Sequence, residues 1–487
     1  MAFSSSAKFE FTPTVRSAYE NIIRLRLDEG KRLLDKETKE NPANTLPLLY
    51  YNYIDFLKAF ITEEKPYADS LRLNAEQRLR RIEHDDANSP FFNFSKAEII
   101  LQTAFVKIKF RENISAAFDI RKSYKLAEEN IQRYPYFILN RKLMGLLHVI
   151  VGNVPKEYHW LVSLAGMDGT ITQGTDELNQ VMIELGNSNF SIYKEEILFY
   201  LSQLQSSLAM DGLNDHALID SLHNYSGENL LLTYCYVNLA MKAGENDKAL
   251  AALNQKEIYN GTFQFAYLDY KKGMLRLRKL DWDAKEDFQK FVSHFKGINY
   301  IKAAYQKLGW IALLNGDRLK YKMYMDSCLF FGKAISDDDK DALAEAKDSL
   351  PPDVTLLRAR LLFDGGYYIR AVKEISYFRL SNKLSLKDEL EYTYRYARLF
   401  HKISMADKAI QYYQLTFEKG KNERYYYAAN SALLLANIYE GEKEYAKANE
   451  YYEQCLSLRS HDYQNSIDQK AQAGLERVAH LYGIPKR

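Results

Sequence analysis

Three alanines in the last third of the chain, Ala371, Ala409 and Ala448, recur at intervals of 38 and 39 residues. Four residues after each stands a large apolar side chain: Ile375, Tyr413 and Tyr452. Before each lies a segment with a small residue and a bulky one three further on: Ala359 with Leu362, Ala397 with Phe400, Ala436 with Tyr439. Spacings of three and four keep such side chains on one face of a helix. Each recurrence therefore predicts two helices: the small positions let them approach and the rings fill the space between units. A unit of this size cannot bury its apolar face alone, so copies must stack into an array that grows along one axis.

Looser copies lie upstream. Leu308 and Gly309 precede the turn Asn315, Gly316, Asp317; Trp282 and Ala284 precede Phe288; Gly244 opens a turn that leads into Ala249. At least six helical pairs are predicted from about 228 to 458, and a helix over 465–482 should cap the open end. One interruption is expected at 336–352. There Ser336, Asp337, Asp338 and Asp339 carry helix-start chemistry, and Pro351 and Pro352 stop the helix. The N-terminal half reads as helical but irregular. Val15, Tyr19, Ile22, Ile23, Leu33 and Leu34 trace one face of a helix, Leu46 to Ile61 a second, and 95–110, 115–133 and 137–151 three more. The organisation expected is a tail over 1–13, a divergent helical region over 14–225, repeats over 226–335, the insert helix and linker over 336–352, and repeats with their cap over 353–487.

Composition fits this. With 22 Gly and only 10 Pro, helix breakers are few for 487 residues. Tyr, at 38, outnumbers Phe at 25, which suits contacts between helices whose edges stay wet. Lys and Arg total 66 against 64 acidic residues, so nothing calls for a nucleic-acid partner. No run of about 18 apolar residues occurs, and no transmembrane helix is expected. Cys235, Cys328 and Cys455 each sit in an apolar helical pattern and read as small buried hydrophobes.

Chemical motifs find little support. The glycines between Ala165 and Gly174 have helical flanks and lack the Lys-Ser or Lys-Thr pair of a phosphate loop, so they read as a helix–helix connection. The nine histidines are scattered; His84, Asp85 and Asp86 occupy a polar turn before Ser89 and Pro90. Lys271, Lys272, Arg276, Arg278 and Lys279 read as the wet sides of a helix. No cofactor, metal or catalytic residue is expected.

The C-terminal copies resemble tetratricopeptide-repeat (TPR) proteins. Over most of its length the chain is also similar to a group of bacterial TPR-containing proteins that commonly carry a signal peptide. That likeness rests on Ser89 and Pro90, on Gly145 to His148, on Leu356 to Arg360, and on Phe363 to Gly366. The N-terminal half is distantly similar to eukaryotic TPR proteins of the inclusion-body-clearance group. The resemblance implies an all-α fold, a TPR-like solenoid of helical pairs wound into an α-α superhelix, and extracytoplasmic location. Ser5, Ser6 and Ala7 satisfy a small-x-small cleavage pattern, although a charged n-region and an apolar h-region are missing. The periplasm is expected, with the cytoplasm as the alternative that the unpaired thiols favour.

The function expected is a non-enzymatic scaffold or peptide-binding protein of the cell envelope. The alternatives are an enzyme or enzyme subunit with a site in the N-terminal region, and a purely structural bridge. The concave face should be lined by side chains about three before, one after and four after the small residue of each first helix. From Ala359 this selects Leu356, Arg360 and Phe363. From Ala397 it selects Tyr394, Arg398 and His401, with Lys402 beside them. From Ala436 it selects Leu433, Asn437 and Glu440. Such a face suits a protein or peptide partner with a carboxylate or acidic segment, held by forked arginine hydrogen bonds and gripped by the rings.

Overall fold

The computed structural model describes residues 9–154, 166–186, 188–207, 216–255, 260–348, 350–378 and 385–482. Ser5, Ser6 and Ala7 lie outside the described residues, as does Ala165 at the start of the glycine stretch. Among the described residues there are 24 α-helices and no β-strand.

The N-terminal half is itself a series of helical pairs. α1 (Pro13–Ile23) packs on α2 (Leu27–Glu40), α3 (Pro47–Thr62) on α4 (Lys65–Ile82), α5 (Pro90–Lys109) on α6 (Asn113–Arg133), and α7 (Ile138–Gly152) on α8 (Ile171–Leu185). α9 (Tyr193–Ser207) and α10 (His216–Tyr225) follow. Proline at the first turn of α1, α3 and α5 starts these helices where a missing N–H costs nothing. The single helix expected from Val15 to Leu34 is a hairpin instead. Leu25 turns the chain at φ 62, and Gly30 lets α2 lie against α1, because a Cβ there would stand 2.5 Å from Ile22 Cγ1. The glycine stretch is likewise only partly a connection. Gly174 lies inside α8 and faces Gly145 of α7, where a Cβ would meet the Gly145 carbonyl oxygen at 2.3 Å. Two glycines thus permit a close helix crossing.

The odd-numbered helices of this half converge on a buried cation. Lys142 of α7 is 0% exposed, with its Nζ 2.8 Å from Glu98 Oε1 of α5 and 2.6 Å from Glu196 Oε2 of α9. Tyr19 of α1 donates to Glu196 at 2.9 Å, and Tyr53 of α3 donates to Glu196 at 2.8 Å and to Glu98 at 3.0 Å. Burial raises the Glu98 carboxyl above the usual range, opposed by Lys142. Burial also works against the Lys142 ammonium, but Glu196 and Glu98 outweigh it and hold its pKa up.

Six further pairs follow the irregular half. They are α11 (Leu230–Ala243) with α12 (Asn246–Leu253), α13 (Tyr267–Arg278) with α14 (Ala284–His294), α15 (Ile301–Leu314) with α16 (Arg318–Phe330), α18 (Val354–Asp364) with α19 (Tyr368–Ile375), α20 (Leu386–Lys402) with α21 (Ala406–Gly420), and α22 (Tyr427–Gly441) with α23 (Tyr445–Ser457). α17 (Asp337–Lys347) is the insert and α24 (Gln464–Tyr482) the cap. Ala371, Ala409 and Ala448 are all 0% exposed, where α19, α21 and α23 meet their partners. Cys235, Cys328 and Cys455 are buried, as their apolar surroundings predict. Glu63 joins the halves. It ends α3, is 2% exposed, and accepts bonds from Lys109, Tyr267, Asn299 and the Ile298 N–H.

The stacking order departs from a simple array after α16. α18 packs against α13 and α15. The α18–α19 turn then meets the α11–α12 turn: a Cβ at Gly366 would lie 2.0 Å from the Gly244 carbonyl oxygen. Tyr367 donates to Asp247 at 2.9 Å, accepts from Asn246 at 3.1 Å, and Arg370 donates to the Lys279 carbonyl at 3.1 Å.

Candidate functional site

The first helices of the last pairs, α18, α20 and α22, carry the side chains that the helical period selects. The structure sorts them into three groups. Leu356, Tyr394 and Leu433 are each 1% exposed. They pack between helices and offer a partner almost no surface, because the side chain three before the small residue points at the neighbouring pair. Asn437 and Glu440 belong to the cap: Tyr452 donates to Asn437 Oδ1 at 2.7 Å, and Arg477 of α24 grips Glu440 with two bonds of 2.9 Å. His401 and Lys402 are exposed at the end of α20, with the His401 ring 6.1 Å from that of Tyr413.

Arg360, Arg398 and Phe363 form the third group. The Arg360 guanidinium lies 4.5 Å over the Trp310 ring, and that of Arg398 lies 4.4 Å over Phe363 and 5.9 Å over Tyr394. Stacking holds each planar group by its face and leaves its edge N–H groups for an acceptor. Among the described residues neither makes an ion pair, whereas Arg395 between them in sequence is bound to Glu391 at 2.5 Å.

Two lysines from earlier helices complete this surface, and the sequence pattern did not select them for it. Lys307 of α15 is 5% exposed; its Nζ lies 4.1 Å from the centre of the Trp310 ring and bonds to Gln306. Trp310 therefore carries a cation from its own helix and one from α18. Lys271 of α13 is half-buried, 5.8 Å from the Tyr300 ring. Burial pushes both ammonium groups down to about 8. Arg278 adds to this at Lys271 and Arg360 adds to it at Lys307, while Asp338 opposes it at both. Of the basic run, then, Lys271 stands against a ring and makes no ion pair among the described residues. Arg276 pairs with Asp287 at 2.9 Å and Lys279 with Asp247 at 2.8 Å.

The insert helix α17 forms the opposite wall. Its first turn is built as the acids and Ser336 predict, with Ser336 accepting from the Asp339 N–H at 3.2 Å. Asp339 also does something no local pattern announces. It is 0% exposed and accepts from the N–H groups of Tyr300 at 2.7 Å and Ala303 at 3.0 Å, closing the start of α15. Glu345 accepts from Trp310 Nε1 and Gln306 Nε2, both at 2.7 Å. Asp338 and Asp341 remain exposed on α17, and Asp341 accepts from Tyr463 at the foot of α24. Ring-backed cations on α13, α15, α18 and α20 thus accompany the exposed acids of α17.

A hollow of about 430 Å³ lies where the two halves meet, lined by Phe56, Phe60, Ile108, Phe199, Tyr234 and Phe265 among others. Lys109 and Arg111 reach its wall. Lys109 is bound to Glu63 at 2.6 Å and Arg111 to the Ile335 carbonyl at 3.2 Å. Among the described residues no group of three or more His, Cys, Asp or Glu side chains is placed to hold a metal ion, and no helix is long and apolar enough to cross a membrane.

No family model matches the chain, and no curated protein matches it. Among solved structures it is similar to the TPR domain of P58(IPK), with 15% identity, 90% of this chain and 99% of that chain covered, and a TM-score of 0.23. It is also similar to the APC/C hetero-tetramer Cut9-Hcn1, with 12% identity, coverage of 97% and 100%, and a TM-score of 0.23.

Proposed function

We infer that this chain is a non-enzymatic protein-interaction scaffold whose groove holds an acidic segment of a protein partner. The carrying observation is the set Lys271, Lys307, Arg360 and Arg398. These four cations come from four helices, and none of them is in an ion pair among the described residues. The rings hold Arg360 and Arg398 by their faces and leave edge N–H groups that a forked carboxylate can take up. An open groove between helical pairs suits an extended or helical segment better than an enclosed small molecule. A protein segment is preferred to nucleic acid because basic and acidic residues balance over the chain, 66 against 64.

Replacing Arg360 and Arg398 together by alanine should leave helicity and melting within error. It should weaken a labelled acidic peptide by ~100-fold or more, at about 1.5–3 kcal/mol per charged hydrogen bond. Affinity capture from the native cell, followed by mass spectrometry, identifies the partner. A double variant that retains that partner at wild-type yield removes the groove from consideration. Placement in the cell envelope, on the periplasmic side, is part of the proposal and rests on the sequence resemblance. Recovery of the protein only in the cytoplasmic fraction would refute it.

A further inference from the structure

In a stack of helical pairs the outer face of each second helix is covered by the pair that follows. After α16 the single insert helix α17 takes the place of a following pair, while α18 turns away to pack on α13 and α15. The face left open is apolar: Leu319 is 85% exposed, Met323 54% and Phe330 83%. Exposed apolar side chains in a continuous stripe mark an interaction surface.

The stripe has a built-in symmetry. Leu319, Met323, Asp326 and Phe330 follow one another at spacings of four, three and four, which keeps them on one face. Those spacings read the same in both directions. A second α16 laid antiparallel across the first therefore sets Leu319 against Phe330 at both ends. At the centre it brings the exposed Asp326 beside the exposed Lys322 of the other copy. Within one chain these two residues form no ion pair among the described residues. A two-fold contact demands this kind of self-complementary surface.

We propose that the α16 face is the contact of a homodimer, formed by antiparallel packing of α16 on α16 of a second copy. One short helix per copy buries less than the ~1,200 Å² of a standard stable interface, so the association should be reversible, with Kd on the order of micromolar.

Sedimentation velocity of the full chain between ~1 and ~100 µM tests this. The wild type should shift from monomer to dimer over that range. Phe330→Asp and Leu319→Asp should each hold it monomeric, with far-UV circular dichroism unchanged because both side chains are exposed. Asp326→Lys should weaken the dimer ~10-fold, and the exchanged pair Lys322→Asp with Asp326→Lys should restore it. A wild type that stays monomeric overturns the proposal, as does a dimer indifferent to Leu319→Asp or an exchanged pair no better than Asp326→Lys alone. Binding of this face to anionic vesicles or to another protein, without self-association, overturns it equally.

Discussion

Replacing Lys142 with methionine removes the cation between Glu98 and Glu196 and keeps most of the side-chain volume. The two carboxylates left behind are 1% and 2% exposed, and their oxygens stood 2.8 and 2.6 Å from the lost nitrogen. Removing one partner of a buried ion pair costs about 3–5 kcal/mol. Here Glu98, whose carboxyl burial already raises and Lys142 holds down, can escape part of that cost by taking up a proton, so its pKa in the folded variant rises further above the unfolded value of about 4.3. The folded variant then binds more protons than the unfolded chain, and its stability falls as pH rises through that raised pKa. The deficit should be about 4 kcal/mol at pH 8 and clearly smaller at pH 5. A long array need not unfold in one step, so the loss is best read locally, by hydrogen exchange of α5, α7 and α9. Their opening should be about a thousandfold more frequent at pH 8. The triple variant Glu98→Gln, Lys142→Met, Glu196→Gln removes all three charges and should regain most of the protection. Protection within tenfold of wild type in the single variant at pH 8, or a deficit that ignores pH, would refute the reasoning.

Two further outcomes follow from the groove and the turn contact. Lys271 and Lys307 are held down to about 8 by burial, so an acidic ligand that raises them must draw in protons. Binding near pH 8.5 should be accompanied by proton uptake and should weaken as pH rises further, measured by calorimetry in two buffers of different ionisation enthalpy; heats that do not depend on the buffer speak against those lysines as contacts. Gly366→Ala places a Cβ at φ 79 and 2.0 Å from the Gly244 carbonyl oxygen. It should destabilise the α18–α19 pair by about 2–4 kcal/mol, seen as faster proteolysis of that segment, and cleavage at the wild-type rate contradicts the contact.

The helical pairs were legible wherever packing depends on residues near in sequence. The spacing of Ala371, Ala409 and Ala448 announces close helix contacts, and all three are buried. Local pattern did less well with glycine: Gly174, read as part of a connection, lies inside α8 and serves its close approach to Gly145 of α7. The polar centre of the N-terminal half left no trace: Lys142 lies 44 residues from Glu98 and 54 from Glu196, and only the assembled helices unite them. The helical period selected Arg360 and Arg398, which stack on rings without an ion pair among the described residues. It also returned Leu356, Tyr394 and Leu433, because a helix in a stack has two packed flanks and the period alone does not tell flank from concave face. Lys271, Lys307 and Trp310 were missed as groove residues because they arrive from pairs that the α18 hairpin reaches only by folding back.

Stacked helical pairs usually behave as springs, lengthening under tension as neighbours twist slightly apart. The join between the α11–α12 and α18–α19 turns ties residues 120 positions apart, Asp247 to Tyr367. Tension between the two ends of the chain has a short path across that join. The pairs enclosed by it are shielded from load.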